Sequence, residues 1–197
     1  MFKVAICGKA NSGKNTVGKL IRKSLYNEFV GKRTISCDYI AFADPIKQMV
    51  RTMFPDLPEK FLTGPSNFRS EIVPGAFRNG VPLTVRQLLI DIGTNGRAYK
   101  ESVWLDAFDA AFQKSVNKHK TLVIVTDVRF MNEFSHLKAK GFYNIRLLRD
   151  AHLKIDHASE TNQDGIKDSE FDFVLDNNGS LDHLKERVKK IVEILKS

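Results

Sequence analysis

At 197 residues the chain has room for one domain with a full hydrophobic core. Its composition, 42% hydrophobic and 27% charged, is that of a soluble globular protein, with no apolar run of the roughly 18 residues a membrane span needs and no signal-peptide pattern at the start. The net charge of +8 is concentrated in residues 1–51, with ten Lys/Arg against three Asp/Glu. No run of five basic residues or aromatic–basic alternation accompanies it, so phosphorylated small molecules fit that charge better than stable binding of nucleic acid. Cys7 and Cys37 read as buried thiols of a reducing, cytoplasmic compartment.

The first element is an apolar strand over residues 2–7. It runs into Gly8-Lys9-Ala10-Asn11-Ser12-Gly13-Lys14-Asn15-Thr16, the layout of a P-loop. Such a loop wraps phosphate with consecutive backbone N–H groups, and glycine tolerates the positive φ angles and close approach this needs. The helix that follows adds its unpaired N–H groups and the positive end of its dipole. Lys14 supplies a cation for the β- and γ-phosphates. Asn15 stands where a metal-ligating hydroxyl is usual, with Thr16 one step later.

Val17, Leu20, Ile21, Leu25 and Phe29 fall at helical spacing, so residues 14–29 are expected to be an amphipathic helix stopped by Gly31. A short strand is expected at 34–37. Asp44 as N-cap and Pro45 in the first turn open a helix running to about Phe54. Residues 55–83 hold five of the six prolines together with Gly64, Gly75 and Gly80. That composition predicts a long excursion, with a short helix near 58–63, acting as a substrate-side flap.

Thr84-Val85-Arg86-Gln87 is a capping box, with Leu88, Leu89 and Ile92 as the apolar face of its helix. Ser102 caps a further helix whose stripe is Trp104, Phe108, Ala111 and Phe112. Trp104 reads equally as a core residue and as a substrate contact. The β-branched run 121–126 predicts a parallel strand buried on both faces, ending in Asp127-Val128-Arg129 before a helix over 131–140. A strand over 143–149, a lid-like polar stretch near 150–170, a strand at 173–175 and a helix capped by Ser180 complete the chain. Strands alternating with helices predict an α/β fold, a single domain over 1–197 with a central parallel sheet of about five strands.

In open parallel sheets ligands bind beyond the C-terminal strand ends. Collecting those ends gathers the P-loop, Asp44 and Lys47, Asp127 and Arg129, Arg149, and Asn177-Asn178-Gly179. Cations with a few carboxylates suit phosphoryl transfer, which depends on positioning and charge neutralisation. Asp127 is a candidate Mg²⁺ contact, or alternatively a helix N-cap. Arg129 and Glu133, four apart, could act as one unit or as an ordinary surface pair. Arg86 and Arg97 lie on about the same face of one helix, and either could hold a substrate phosphate; Arg97 could instead complement the helix C-terminus. No Cys/His spacing fits zinc, and His157 is a lone histidine in a polar loop.

Six segments in order resemble the phage deoxynucleoside monophosphate kinases: Gly8 to Thr16; Phe42-Ala43-Asp44-Pro45-Ile46-Lys47; Arg86-Gln87-Leu88-Leu89 with Gly93-Thr94-Asn95; Asp127-Val128-Arg129-Phe130-Met131-Asn132-Glu133; His157-Ala158-Ser159-Glu160; and Asn178-Gly179-Ser180-Leu181. The resemblance implies transfer of the ATP γ-phosphoryl group to a deoxynucleoside 5′-monophosphate, with Mg²⁺, on an adenylate-kinase-like P-loop NTPase fold of three layers. It also implies a homodimer and a phage protein working in the host cytoplasm. By the same resemblance Lys14 holds the transferring phosphoryl group, Arg86, Arg129 and Glu133 belong to the substrate site, and Asp44 and Lys47 sit near the acceptor. Two positions depart from the family pattern. Asn11 replaces a basic residue, and Asn15 replaces an Asp, keeping its shape while losing the charge that would help hold Mg²⁺. The competing readings are a kinase of another phosphorylated metabolite, such as dephospho-coenzyme A, and a nucleotide-binding protein with weakened catalysis.

Overall fold

A computed structural model describes residues 1–30, 34–150 and 162–196. The chain divides into two compact units, one formed by residues 1–41 and 110–197, the other by residues 42–109. Gly31, the expected helix stop, and the stretch that carries His157-Ala158-Ser159-Glu160 lie outside the described residues. Among the described residues no helix is long and apolar enough to cross a membrane.

The first unit is built on five parallel strands: β1 (Phe2–Cys7), β2 (Cys37–Tyr39), β5 (Leu122–Val128), β6 (Tyr143–Leu148) and β7 (Phe173–Asp176), side by side in the order β2-β5-β1-β6-β7. The α/β fold with a central five-stranded parallel sheet is the one expected. β1 is central because Val4, Ala5, Ile6 and Cys7 are all buried, the requirement for a parallel strand covered on both faces. Successive strands are added first on one side of β1 and then on the other. The switch point therefore falls at its C-terminal end, where a ligand crevice opens in such sheets.

Helix α1 (Lys14–Phe29) buries Val17, Gly18, Ile21 and Leu25. The last helix, α7 (Leu181–Lys196), buries Leu184, Val188, Ile191, Val192 and Leu195. Both stripes share one core with Val4, Ile6, Leu122, Ile124, Ile145, Leu147 and Leu175. Ser180 caps α7 as expected, its Oγ accepting from the His183 N–H at 3.2 Å. The second strand lies later than expected, because the residues before it already pair outside the regular ladder. Ser36 N–H donates to Thr121 Oγ1 at 2.9 Å, and the Leu122 N–H donates to Ser36 O at 3.1 Å.

The second unit contains α2 (Asp44–Met53), α3 (Lys60–Thr63), a 3-10 turn (Ser66–Ser70), the hairpin β3 (Ile72–Arg78) and β4 (Val81–Thr84), and α4 (Val85–Tyr99). The N-terminal half of α5 (Val103–Asn117) also belongs to it. Its core is Val50, Leu62, Val73, Ala76, Leu83, Val85 and Leu88. The stretch expected as a long excursion over 55–83 thus contributes a hairpin and four core residues of its own, Leu62, Val73, Ala76 and Leu83. Thr84 forms the predicted capping box, bonding the Gln87 N–H while Gln87 Oε1 accepts from the Thr84 N–H at 2.9 Å.

Candidate active site

The loop after β1 is bent by two left-handed residues, Asn11 at φ 60° and Gly13 at φ 100°. Glycine is also required at position 13 for space, since a Cβ there would meet Asn177 Nδ2 at 2.6 Å. That amide is an anchor: Asn177 Nδ2 donates to Ser12 O at 2.8 Å, and its own N–H donates to Leu148 O at 2.8 Å. Ser12 is buried, as is Ala10. Helix α1 begins at Lys14 with no capping side chain bonded to its first turn and no acidic residue in that turn. Its N-terminal N–H groups and positive dipole end are therefore presented without a carboxylate competitor from that turn, the arrangement that favours an anion.

Lys14 folds over this loop, its Nζ donating to Gly8 O at 2.5 Å and Lys9 O at 2.7 Å. Lys9 pairs with Asp164 at 3.1 Å, and Arg149 donates from Nη1 to Asn11 O at 3.4 Å. Thr16 is exposed in the first turn of α1. Asn15, also exposed, accepts a hydrogen bond at its Oδ1 from Thr126 Oγ1 at 2.9 Å. Beneath the loop, burial pushes the Cys7 thiol up to about 11, so it stays protonated at neutral pH and donates to Gln163 Oε1 at 3.3 Å.

Asp127 lies half-buried at the end of β5. It does not cap the following helix: α6 (Met131–Ala139) has Phe130 as its N-cap residue. The Glu133 carboxylate closes that turn. It is buried, and its Oε2 accepts from the backbone N–H groups of Arg129 at 2.8 Å and Phe130 at 3.1 Å. Glu133 therefore fixes the backbone that carries Arg129. This is closer to an orienting role than to a solvent-exposed surface pair.

In the second unit Asp44 and Lys47 form an ion pair at 3.1 Å on the first turn of α2. Arg86, at the start of α4, donates from Nη2 to Ser66 O and Ser66 Oγ, both at 3.1 Å, tying the 3-10 turn to the helix. Arg97 turns back on its own helix to donate to Gly93 O at 3.1 Å. Trp104 is buried, its indole N–H donating to the same carbonyl at 2.9 Å. The structure thus groups the P-loop, Asp127, Arg129 and Glu133 in the first unit, and Asp44, Lys47, Arg86, Arg97 and Trp104 in the second.

Motif reasoning passes over Thr126 and the anchoring bond that Asn177 makes to the loop. Thr126 reads in sequence as one more β-branched strand residue. Asn177 is marked only by its place after a strand.

A family model described as deoxynucleotide monophosphate kinase matches residues 66–188, more than half of the chain. This chain belongs to the deoxynucleotide monophosphate kinase family. It is accordingly an ATP-dependent phosphotransferase acting on deoxynucleoside monophosphates. The matched span contains Arg86, Arg97, Trp104, Asp127, Arg129 and Glu133, while the loop over residues 8–16 lies outside it. Among solved structures the chain is similar to shikimate kinase from Acinetobacter baumannii in complex with shikimate, at 14% identity and a TM-score of 0.42, over 100% of this chain and 94% of that one. No curated protein matches the chain.

Proposed function

We propose that the loop Gly8, Lys9, Ala10, Asn11, Ser12, Gly13, Lys14, Asn15 and Thr16 binds the triphosphate of ATP, and that Lys14 and Arg129 are the catalytic cations. The observation that carries this is the start of α1 at Lys14, without acid or capping side chain in the first turn, beside a loop turned by Gly13. In the reaction an oxygen of the acceptor's 5′-phosphate forms a bond to the γ-phosphorus as the bond to the β,γ-bridging oxygen breaks. ADP leaves, and the acceptor becomes a deoxynucleoside diphosphate. Little covalent chemistry falls to the protein; it holds the groups in line and neutralises charge on the moving phosphoryl group. Lys14 exchanges its bonds to loop carbonyls for bonds to phosphate oxygens. Arg129, on a backbone held by Glu133, stabilises the equatorial oxygens.

Asn15 and Asp127 are the side chains that would hold Mg²⁺. Among the described residues no group of three His, Cys, Asp or Glu is placed to cage a metal. This fits an ion bound mainly by phosphates and waters with one or two protein oxygens. When bound, the ion would supply positive charge that offsets the negative charge of the phosphate oxygens. Asp44, Lys47, Arg86 and Arg97 are assigned to the acceptor nucleotide. Trp104 supports them by packing, since its ring and N–H are both engaged within the fold. A homodimer, a cytoplasmic location and a phage origin complete the reading; the free thiols Cys7 and Cys37 fit a reducing compartment.

The test is ATP consumption with each of the four common deoxynucleoside monophosphates in the presence of Mg²⁺. ADP formation with at least one of them is expected. Turnover with none would overturn the proposal, and turnover with dephospho-coenzyme A instead would replace the acceptor.

A further inference from the structure

Asn15 and Thr126 are 111 residues apart in the chain, yet Thr126 Oγ1 donates to Asn15 Oδ1 at 2.9 Å. Two features bring them together. α1 is seated closely on β5 at Gly18, where a Cβ would meet Ile124 Cγ2 and Thr126 Cγ2 at 3.3 Å. That contact also shows that Ile124 and Thr126 face the helix. In addition, the pairing of β1 with β5 slips by one residue at this level: Ala5 stands opposite Val125, but Cys7 opposite Val128. One extra β5 residue is therefore accommodated between these pairs. Such irregularities re-aim side chains at the end of a strand.

We propose that Thr126 is a positioning residue for nucleotide binding, acting through Asn15, and this rests on the reading of the loop as the triphosphate site. An aspartate after the P-loop lysine would be drawn to a cation by its charge. A neutral amide has no such pull, and its exposed side chain would sample several rotamers. The Thr126 hydroxyl fixes the amide by taking one of the two lone pairs of Oδ1. The other lone pair and the Nδ2 donors remain to face the metal–nucleotide complex. The hydroxyl missing from position 15 is thus supplied from the neighbouring strand, one step removed from the ligand.

The test measures the Kd of Mg·ATP by titration calorimetry for the wild type, Thr126→Val, Thr126→Ser, Asn15→Ala and the Thr126→Val/Asn15→Ala double variant, with Tm recorded for each. Thr126→Val is nearly isosteric and removes only the hydroxyl, so its Kd is expected to rise about fivefold, the worth of one net hydrogen bond. Thr126→Ser should restore binding to near the wild-type value. In the Asn15→Ala background the valine should add less than about twofold, because coupled neighbours are non-additive. A Kd unchanged by Thr126→Val, or an equal penalty with and without Asn15, would overturn the inference. A fall in Tm without a change in Kd would reduce Thr126 to a packing residue. Failure of the wild type to bind Mg·ATP would instead refute the assignment of the loop.

Discussion

The indole of Trp104 lies against Gly96 so closely that a Cβ on that glycine would fall 2.3 Å from Cζ2 of the ring. The same indole donates its N–H to Gly93 O, one turn earlier on α4. α4 and the start of α5 are therefore locked by one aromatic side chain that needs small residues opposite it. Gly96→Ala should displace the ring and destabilise the protein by about 1–3 kcal/mol, the range for overpacking. Trp104 is the only tryptophan, so its emission reports on this contact directly. A red shift together with a lower Tm is expected; unchanged emission and Tm would refute the contact.

Lys14 is bound to the loop's own carbonyls, so removing it should leave the core untouched. Lys14→Ala should lower kcat by at least about a hundredfold, the scale for losing one preorganised charge-stabilising donor. Its Tm should stay close to that of the wild type, as for substitutions away from packed sites. Steady-state kinetics alongside thermal melts would check both halves of this expectation. Retained turnover would remove Lys14 from the catalytic set.

Asn15→Asp returns a negative charge beside the proposed metal position. It should reduce the Mg²⁺ concentration needed for half-maximal rate, measured by titrating Mg²⁺ at fixed ATP. An unchanged Mg²⁺ requirement would mean that another group already supplies what the amide lacks.

Asp38 accepts a 2.6 Å hydrogen bond from Ser115 Oγ and pairs with Lys120 at 3.1 Å. Chiefly the Ser115 bond, with the Lys120 contact assisting against partial desolvation, holds its carboxyl below the ordinary value of 3.8. The unfolded chain therefore takes up this proton more readily than the folded one. The stabilisation is complete above about pH 4 and is lost as the pH falls through the depressed value. Asp38→Asn should be less stable than the wild type at pH 7, and the difference should shrink in melts taken towards pH 3. A pH-independent difference would contradict the assignment.

Much of the fold was legible because the decisive signals are local. The buried run at 121–126, the capping box at Thr84 and the glycine–lysine loop each depend on a few neighbouring residues. The hairpin of β3 and β4 is masked in the sequence, since Pro74 and Pro82 argue against strands. In a two-stranded ribbon every strand is an edge, and proline is tolerated there. The Asn79-Gly80 turn, with φ 53° and 77°, is a strong hairpin signal that the prolines obscured. At the candidate site the loop was legible from its spacing. The parts supplied by the opposite end of the chain were harder to read, because only the folded sheet brings Asn177 to Ser12 or Thr126 to Asn15. Likewise, the burial of Trp104 against Gly96 depends on packing between two helices, which spacing within either helix does not contain.

The position of β1 bears on how the chain must be made. It leaves the ribosome before either of its neighbours, since β5 and β6 are encoded more than a hundred residues later. During synthesis its apolar edges have no native partner. Residues 42–109 are contiguous and contain their own core, so they can consolidate while the strand waits. Slow, non-local pairing of this kind exposes a nascent chain to aggregation. Truncated forms ending before Leu122 should therefore be poorly soluble even though they retain the entire phosphate loop.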